Sequence, residues 1–561
     1  MKTVQYISRI VFVASLLTFV SSTLFAQKEE VVIIGSYQPS LSDAFKINKN
    51  PEMIDTTYPA PKFTYDITSK RVPTTFQIEA IKAAKLVGEP ITRLYKNLLK
   101  AGFGTYVTPY LEFFANNTRS KKYSYGVHLR HLSSTGKIQD YAKSSFSENE
   151  LNVYGDRFFQ KSTLSGDLFF DRKVVHYYGF QPKFYDSGLI PDDDAIRQRY
   201  ATIGFNAKYQ SNYTDSNKLN HSFTLGFYNL SDYYSASENA IKLGTSLSQD
   251  FELLTLTKKQ TLGLNADATF YHNKNNSMDG KGSLLVHVQP YLQTQFNEYR
   301  LLVGLTAAVE AADETNLHLY PYIEGKVAII PGILGAYAGL SGNMEKVSYR
   351  SLSTENPYIK SDIPLGYTDK NFEIYGGINT SLTDNIDLGA SIHASHFKTM
   401  PFFVTDTTGG NLLKNKFTAV YDEANLLTIK GDMMWKARKD LSFLIAFSYN
   451  KYSVETETEV WHKPTVEGSL QARYSLRDKF VIQFNAFAFG KMYARDFEAN
   501  GTMKVVELDP KLDLSLAFEY RYTKMLSFFL NFNNLTTTRY ENWYRYPSQK
   551  FNFMGGITYA F

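Results

Sequence analysis

The stretch that decides the fold is Lys511 to Tyr522, KLDLSLAFEYRY. Leu512, Leu514, Leu516, Phe518, Tyr520 and Tyr522 take every second position, and Asp513, Ser515, Ala517, Glu519 and Arg521 lie between them. Side chains of a β-strand alternate between its two faces, so one face here is apolar and the other polar. A run of about ten residues is long enough for a tilted strand to cross the hydrocarbon layer of a bilayer. Strands of soluble proteins usually have about five or six.

The pattern recurs in Leu262 to Phe270, with Asn265 and Asp267 on the polar face, and in Ile386 to Ala394, with Asp387, Ser391 and His393 there. In a transmembrane barrel only alternate residues meet lipid and the rest face a polar lumen. The inward charges Asp267, Asp387, Asp513, Glu519 and Arg521 are therefore expected as lumen lining. The chain ends on the same alternation: Phe551, Phe553, Gly555, Ile557, Tyr559 and Phe561 share a face. A final Phe561 with Tyr559 two residues before it resembles the signal read by outer-membrane assembly machinery, which makes that machinery an expected partner.

Hairpins counted backwards from Phe561 give short turns at 523–524, 477–478, 438–440, 383–385, 331–332 and 297–298. Longer stretches near 541–548, 496–507, 455–464, 401–415, 348–369 and 273–282 separate them, with one short exception near 313–316. Outer-membrane barrels alternate short periplasmic turns with long extracellular loops. Further outer loops near 232–240, 174–197 and 135–149 bring the count to about 20 strands from residue 121 onward. Strands near Ile91 to Phe103 and Tyr106 to Asn116 make about 22, although Ala80 to Lys100 also reads as a helix. The expected fold is all-β: an antiparallel transmembrane barrel of about 22 strands over residues 91–561, in contact with outer-membrane lipid.

At the other end, Lys2 and Arg9 flank and precede the apolar run Ile10 to Val20, followed by SSTLFAQ. This is the order of a cleavable signal peptide, residues 1–26, too short for a membrane-spanning helix. Its removal lowers the formal charge from +5 to +3. So small and scattered a charge excludes a nucleic-acid partner. The absence of cysteine removes disulfides, thiolate metal sites and a cysteine nucleophile. Residues 27–90, broken by Pro39, Pro51, Pro59, Pro61 and Pro73, are expected to form an irregular periplasmic or lumen-filling segment.

About 22 strands, together with NFNNLTTTRYENWYRYPSQKFNFMGGITYAF at 531–561, resembles the barrel of TonB-dependent receptors, and EEVVIIGSYQP at 29–39 resembles the opening of such a receptor. The resemblance implies solute or nutrient transport across the outer membrane of a Gram-negative cell, without enzymatic activity or cofactor. The family places a plug of well over a hundred residues before its first strand. Here only about 64 precede it, too few for a full plug. A barrel of this size normally encloses a plugged lumen. The N-terminal segment and inward-folded outer loops are the expected filling. The competing reading is a non-catalytic barrel subunit of an assembly or secretion machine, with a surface lipoprotein or other barrels as partners.

Candidate contacts for a ligand or partner are the loop aromatics Tyr177, Tyr178, Phe180, Phe184 and Tyr185, and Trp543, Tyr544 and Tyr546 near the last loop. Aromatics on outer loops stack on ligands or anchor partners, and they equally suit the girdle at the membrane interface. Asp192 to Asp194 lack the spacing of a calcium loop and read as a solvated run. His128 with His131, and His393 with His396, are three apart, which places each pair on opposite faces of a strand and prevents it from clasping one metal.

Overall fold

The computed structural model describes residues 94–561 apart from 118–119, 216, 253–258, 277, 409–410 and 499–500. The signal-peptide reading and the whole of the N-terminal segment 27–90 fall outside the described residues. Twenty-two strands form one antiparallel sheet. Each pairs with the next barrel strand along the chain, and the first, Asn97–Gly104, closes on the last, Asn552–Ala560. Closure gives every strand two partners and leaves no edge with unpaired backbone groups, as a wall surrounded by lipid requires.

The alternation read from the sequence sets the faces. Along Lys511–Arg521, Leu512, Phe518 and Tyr520 are exposed on the outside. On the inside Asp513 accepts a hydrogen bond from Tyr540 Oη at 2.6 Å, and Glu519 pairs with Arg521 at 3.1 Å. In Lys259–Asn275, Leu262 and Phe270 face out, whereas Asp267 meets His287 at 3.2 Å. In Ile386–Thr405, Ile392 faces out and His393 turns in to Glu373 at 3.0 Å. Both histidine pairs divide between the faces: His128 and His393 bond carboxylates in the lumen, and His131 and His396 bond Asn149 and Asn425 outside.

All six short turns lie at one rim. Both barrel termini meet there too, with Lys96 N and Asn97 N donating to the Phe561 carbonyl at 3.1 and 2.9 Å. The rim of short turns is the periplasmic one. The early pair of strands exists, at Asn97–Gly104 and Thr108–Asn116. Residues 97–100 are thus strand rather than helix. The first strand starts later than Ile91 and the second later than Tyr106, because Tyr106 and Val107 adopt positive φ (60° and 51°) and make the turn. The outer connection read at 273–282 is nearly all strand, since Lys259–Asn275 and Met278–Phe296 run up to it from both sides. Two outer loops carry hairpins of their own, Met492–Phe497 with Met503–Leu508 and Glu541–Trp543 with Tyr546–Pro547. A third holds the helix α1, Tyr349–Glu355.

Candidate functional site

The outer loops condense into one core across the mouth of the barrel. It starts where Ser162–His176 ends: Tyr177 is fully buried and donates its hydroxyl to the Ile359 carbonyl at 2.7 Å. Tyr178 donates to the Pro547 carbonyl at 3.0 Å. Asn415 Nδ2 donates to the Tyr177 carbonyl at 2.8 Å, and the Tyr546 hydroxyl donates to the Asn415 carbonyl. Tyr358 stacks on Tyr546 with ring centroids 3.7 Å apart, and Tyr178 meets both edge-on at 5.8 and 4.8 Å. Loops rooted on well-separated strands make these contacts, so they meet only by reaching over the lumen. Burial holds the hydroxyls of Tyr177, Tyr178 and Tyr546 well above the ordinary tyrosine range, which keeps them neutral donors.

Glycine allows the tightest of these approaches. A Cβ on Gly179 would lie 2.6 Å from the Tyr546 ring.

Two buried carboxylates fasten the core from the wall side. Asp232 accepts from Tyr349 Oη at 2.8 Å, Gln198 Nε2 at 3.1 Å and Ala236 N at 2.7 Å, and also from the Ser361 hydroxyl. Glu238 accepts from the N–H groups of Tyr349 and Arg350 at 2.7 and 3.1 Å, from Tyr228 Oη at 2.8 Å and from Asn273 Nδ2 at 2.7 Å. It thereby satisfies first-turn donors of α1, where a negative charge is favoured. Ser348 caps the same end by accepting from Ser351 N at 3.0 Å. A buried carboxylate is tolerated when its oxygens are this fully hydrogen-bonded.

A second cluster ties the last loops together. Asp496 bonds Arg545 at 3.0 Å, Tyr544 Oη at 3.0 Å and Lys414 at 3.4 Å. Burial alone would raise its pKa, but the Phe497 N–H and the Arg545 guanidinium hold it below the usual carboxylate range. His462 is buried, with Nδ1 on the Phe403 carbonyl at 3.0 Å and Nε2 accepting from Tyr544 N at 3.3 Å. Burial lowers its pKa to about 4, so it stands neutral with the proton on Nδ1.

Beneath the cap a cavity of about 530 Å³ is bounded by Trp543, Tyr540, Lys511, Asp513 and Glu467. A second, of about 870 Å³, lies against the lumen wall toward the periplasmic rim and is bounded by Lys100, Glu112, Arg473, Glu519, Arg521 and Phe529. Aromatic faces and charges of both signs suit a polar solute carrying an apolar part.

Of the aromatics singled out from the sequence, Tyr177, Tyr178, Phe180 and Tyr546 are brought together in the buried cap. Tyr185 and Trp543 pack against it, and Trp543 also reaches the upper cavity. Tyr544 joins Asp496, and Phe184 stands apart, 73% exposed. Asp193 and Asp194 pair with Lys143 and Arg197 at 3.3 and 4.0 Å. Sequence reasoning missed Tyr358, Asn415, Asp232 and Glu238. Tyr358 lies in a loop already marked by its length, but nothing local marks the carboxylates, whose partners come from distant loops.

No protein-family model matches the chain, and no curated protein matches it in sequence. Its structure is similar to solved outer-membrane receptors. The pyoverdine outer membrane receptor FpvA from Pseudomonas aeruginosa, bound to pyoverdine, aligns at a TM-score of 0.63 and 11% identity over 84% of this chain and 79% of the receptor. The siderophore receptor PirA from Acinetobacter baumannii aligns at 0.63 and 10%, over 84% and 81%. The FrpB iron transporter from Neisseria meningitidis aligns at 0.63 and 10%, over 84% and 82%. The fold is that of a TonB-dependent receptor-like outer-membrane barrel.

Proposed function

We propose that this chain is a non-enzymatic uptake receptor of the outer membrane, admitting a nutrient or other small solute through a barrel gated at its outer mouth. The observation that carries the reading is the interlocked aromatic cap above a lumen lined by mixed charge and polar cavities. Likeness in fold to siderophore receptors and an iron transporter supports it. In this reading residues 1–26 direct export, Tyr559 and Phe561 serve assembly, and residues 27–90 act as a reduced gate in place of a full plug. Both aromatics face outward, with rings stacked at 5.4 Å, beside the strand that closes the barrel.

The test compares a deletion strain with its complemented parent for uptake of a panel of ferric siderophores and small nutrients. Lost uptake of at least one solute, restored by the wild-type gene, is expected. In planar bilayers, deletion of residues 28–85 is expected to raise single-channel conductance, and an unchanged trace removes the gate. One observation favours the alternative, a barrel subunit of an assembly or secretion machine. Phe184, Leu189 and Leu412 leave apolar tips exposed on the outer loops, which a partner would cover. Unchanged uptake, with other barrels and lipoproteins purifying in stoichiometric amounts, would establish that role instead.

A further inference from the structure

The outward face changes character just above the lipid belt on one side of the barrel. Leu129, Leu151, Leu168, Phe170 and Ile203 are exposed there as a continuous apolar surface. One step toward the outer rim, the register aligns His131 with Asn149 and Asn149 with Arg172, and the next step pairs Val174 with Arg199. Strand alternation puts these polar side chains on the outward face of Leu151, Phe170 and Ile203, because the intervening Glu148, Glu150 and Lys173 turn the other way into a cluster of ion pairs with Arg130. Among the described residues, no carboxylate occupies this outward row from Tyr123–Ser134 round to Lys259–Asn275.

Among the described residues the two arginines stand without side-chain partners. His131 bonds Asn149 at 2.7 Å, and Arg197 approaches Asp194 at 4.0 Å. Neither the Arg172 nor the Arg199 guanidinium has a hydrogen bond or ion pair with a described residue, and Arg199 Nε is buried with no acceptor. A buried guanidinium N–H without an acceptor is costly. This position, where acyl chains end and headgroups begin, supplies an acceptor from the membrane. A forked guanidinium is matched bidentately by phosphate.

We propose that Arg172 and Arg199 form a binding site for the phosphate of a phosphorylated glycolipid in the outer leaflet, whose acyl chains lie on the apolar belt below. The Asn149 side chain, oriented by His131, stands beside that headgroup. The site depends on the chain being an outer-membrane barrel and is independent of what, if anything, the barrel transports.

The test follows thermal unfolding of the delipidated full-length protein in detergent, with diphosphorylated lipid A, with the same lipid stripped of its phosphates, and with inorganic phosphate. Diphosphorylated lipid A is expected to raise the unfolding temperature, and the other two to leave it unchanged. In Arg172→Gln/Arg199→Gln the lipid concentration for half-maximal protection is expected to rise at least tenfold. In Arg157→Gln, an outward arginine near the opposite rim, it is expected not to move. Equal protection by the dephosphorylated lipid, or an unchanged response in the double variant, overturns the site. Protection by inorganic phosphate alone assigns it to free phosphate and overturns the lipid. Should the double variant fail to fold, the comparison of the two lipids on wild type and the response of Arg172→Lys/Arg199→Lys still decide the matter.

Discussion

At the scale of single residues, the barrel wall is a sequence of two-way choices. Leu516 faces outward and is paired with Phe484 and Phe532, whereas its neighbour Ser515 turns to Asn485 in the lumen. Leu516→Arg is expected to destabilise the barrel by about 2 to 4 kcal/mol near the bilayer midplane, and Ser515→Arg to have little effect. Urea unfolding in liposomes measures both, and equal losses would show that the faces are assigned wrongly. This alternation was legible because a two-residue period needs no tertiary information. The roles of Asp232 and Glu238 were not legible on that ground, because both fall in the stretch read as the outer loop near 232–240 and their partners come from distant loops.

At the scale of elements, closure depends on a seam between the first and last strands. Gly102 and Gly556 face each other in register, and the ring of Phe529 lies over both, with Lys100 Nζ 4.7 Å from its centroid. A Cβ on Gly556 would come within 2.1 Å of the Ala101 carbonyl oxygen and 2.5 Å of the Phe529 ring. Gly556→Val is therefore expected to prevent closure, seen as loss of the compact, heat-modifiable band on gels. Adding Phe529→Ala should not restore that band, because the backbone contact remains. The final strand was readable as an element from its alternating aromatics. Its glycines were readable only as interruptions, since their purpose lies on strands elsewhere in the chain.

At the scale of the whole molecule, the cap joins elements that the chain order keeps far apart, and its stability is expected to follow pH through His462. The unfolded histidine takes a proton near pH 6.5, but the buried one does so only near pH 4. The unfolded loop thus binds more protons between these values. The contribution is complete above about pH 6.5 and is lost as pH falls toward 4, with about 2 kcal/mol gone by pH 5. Open-state conductance of the full-length protein should accordingly rise between pH 7 and pH 5. In His462→Gln, which keeps a donor and an acceptor but does not titrate, this particular rise should be reduced. An identical pH response in the variant would remove His462 from the control of the cap.

The sequence by itself determined the class of fold, the facing of the strands, the alternation of short turns with longer loops and a count near 22, because each follows from a local period or a local turn. It also marked the loop aromatics as a group. Only the tertiary structure decided that Tyr177, Tyr178, Phe180 and Tyr546 are cap interior while Phe184 is surface. It alone placed Tyr358 against Tyr546 and left Arg172 and Arg199 without acid partners among the described residues. The reason is physical: a strand's facing is fixed by its own alternation, whereas burial in the cap depends on loops that meet across the mouth only after the barrel has closed.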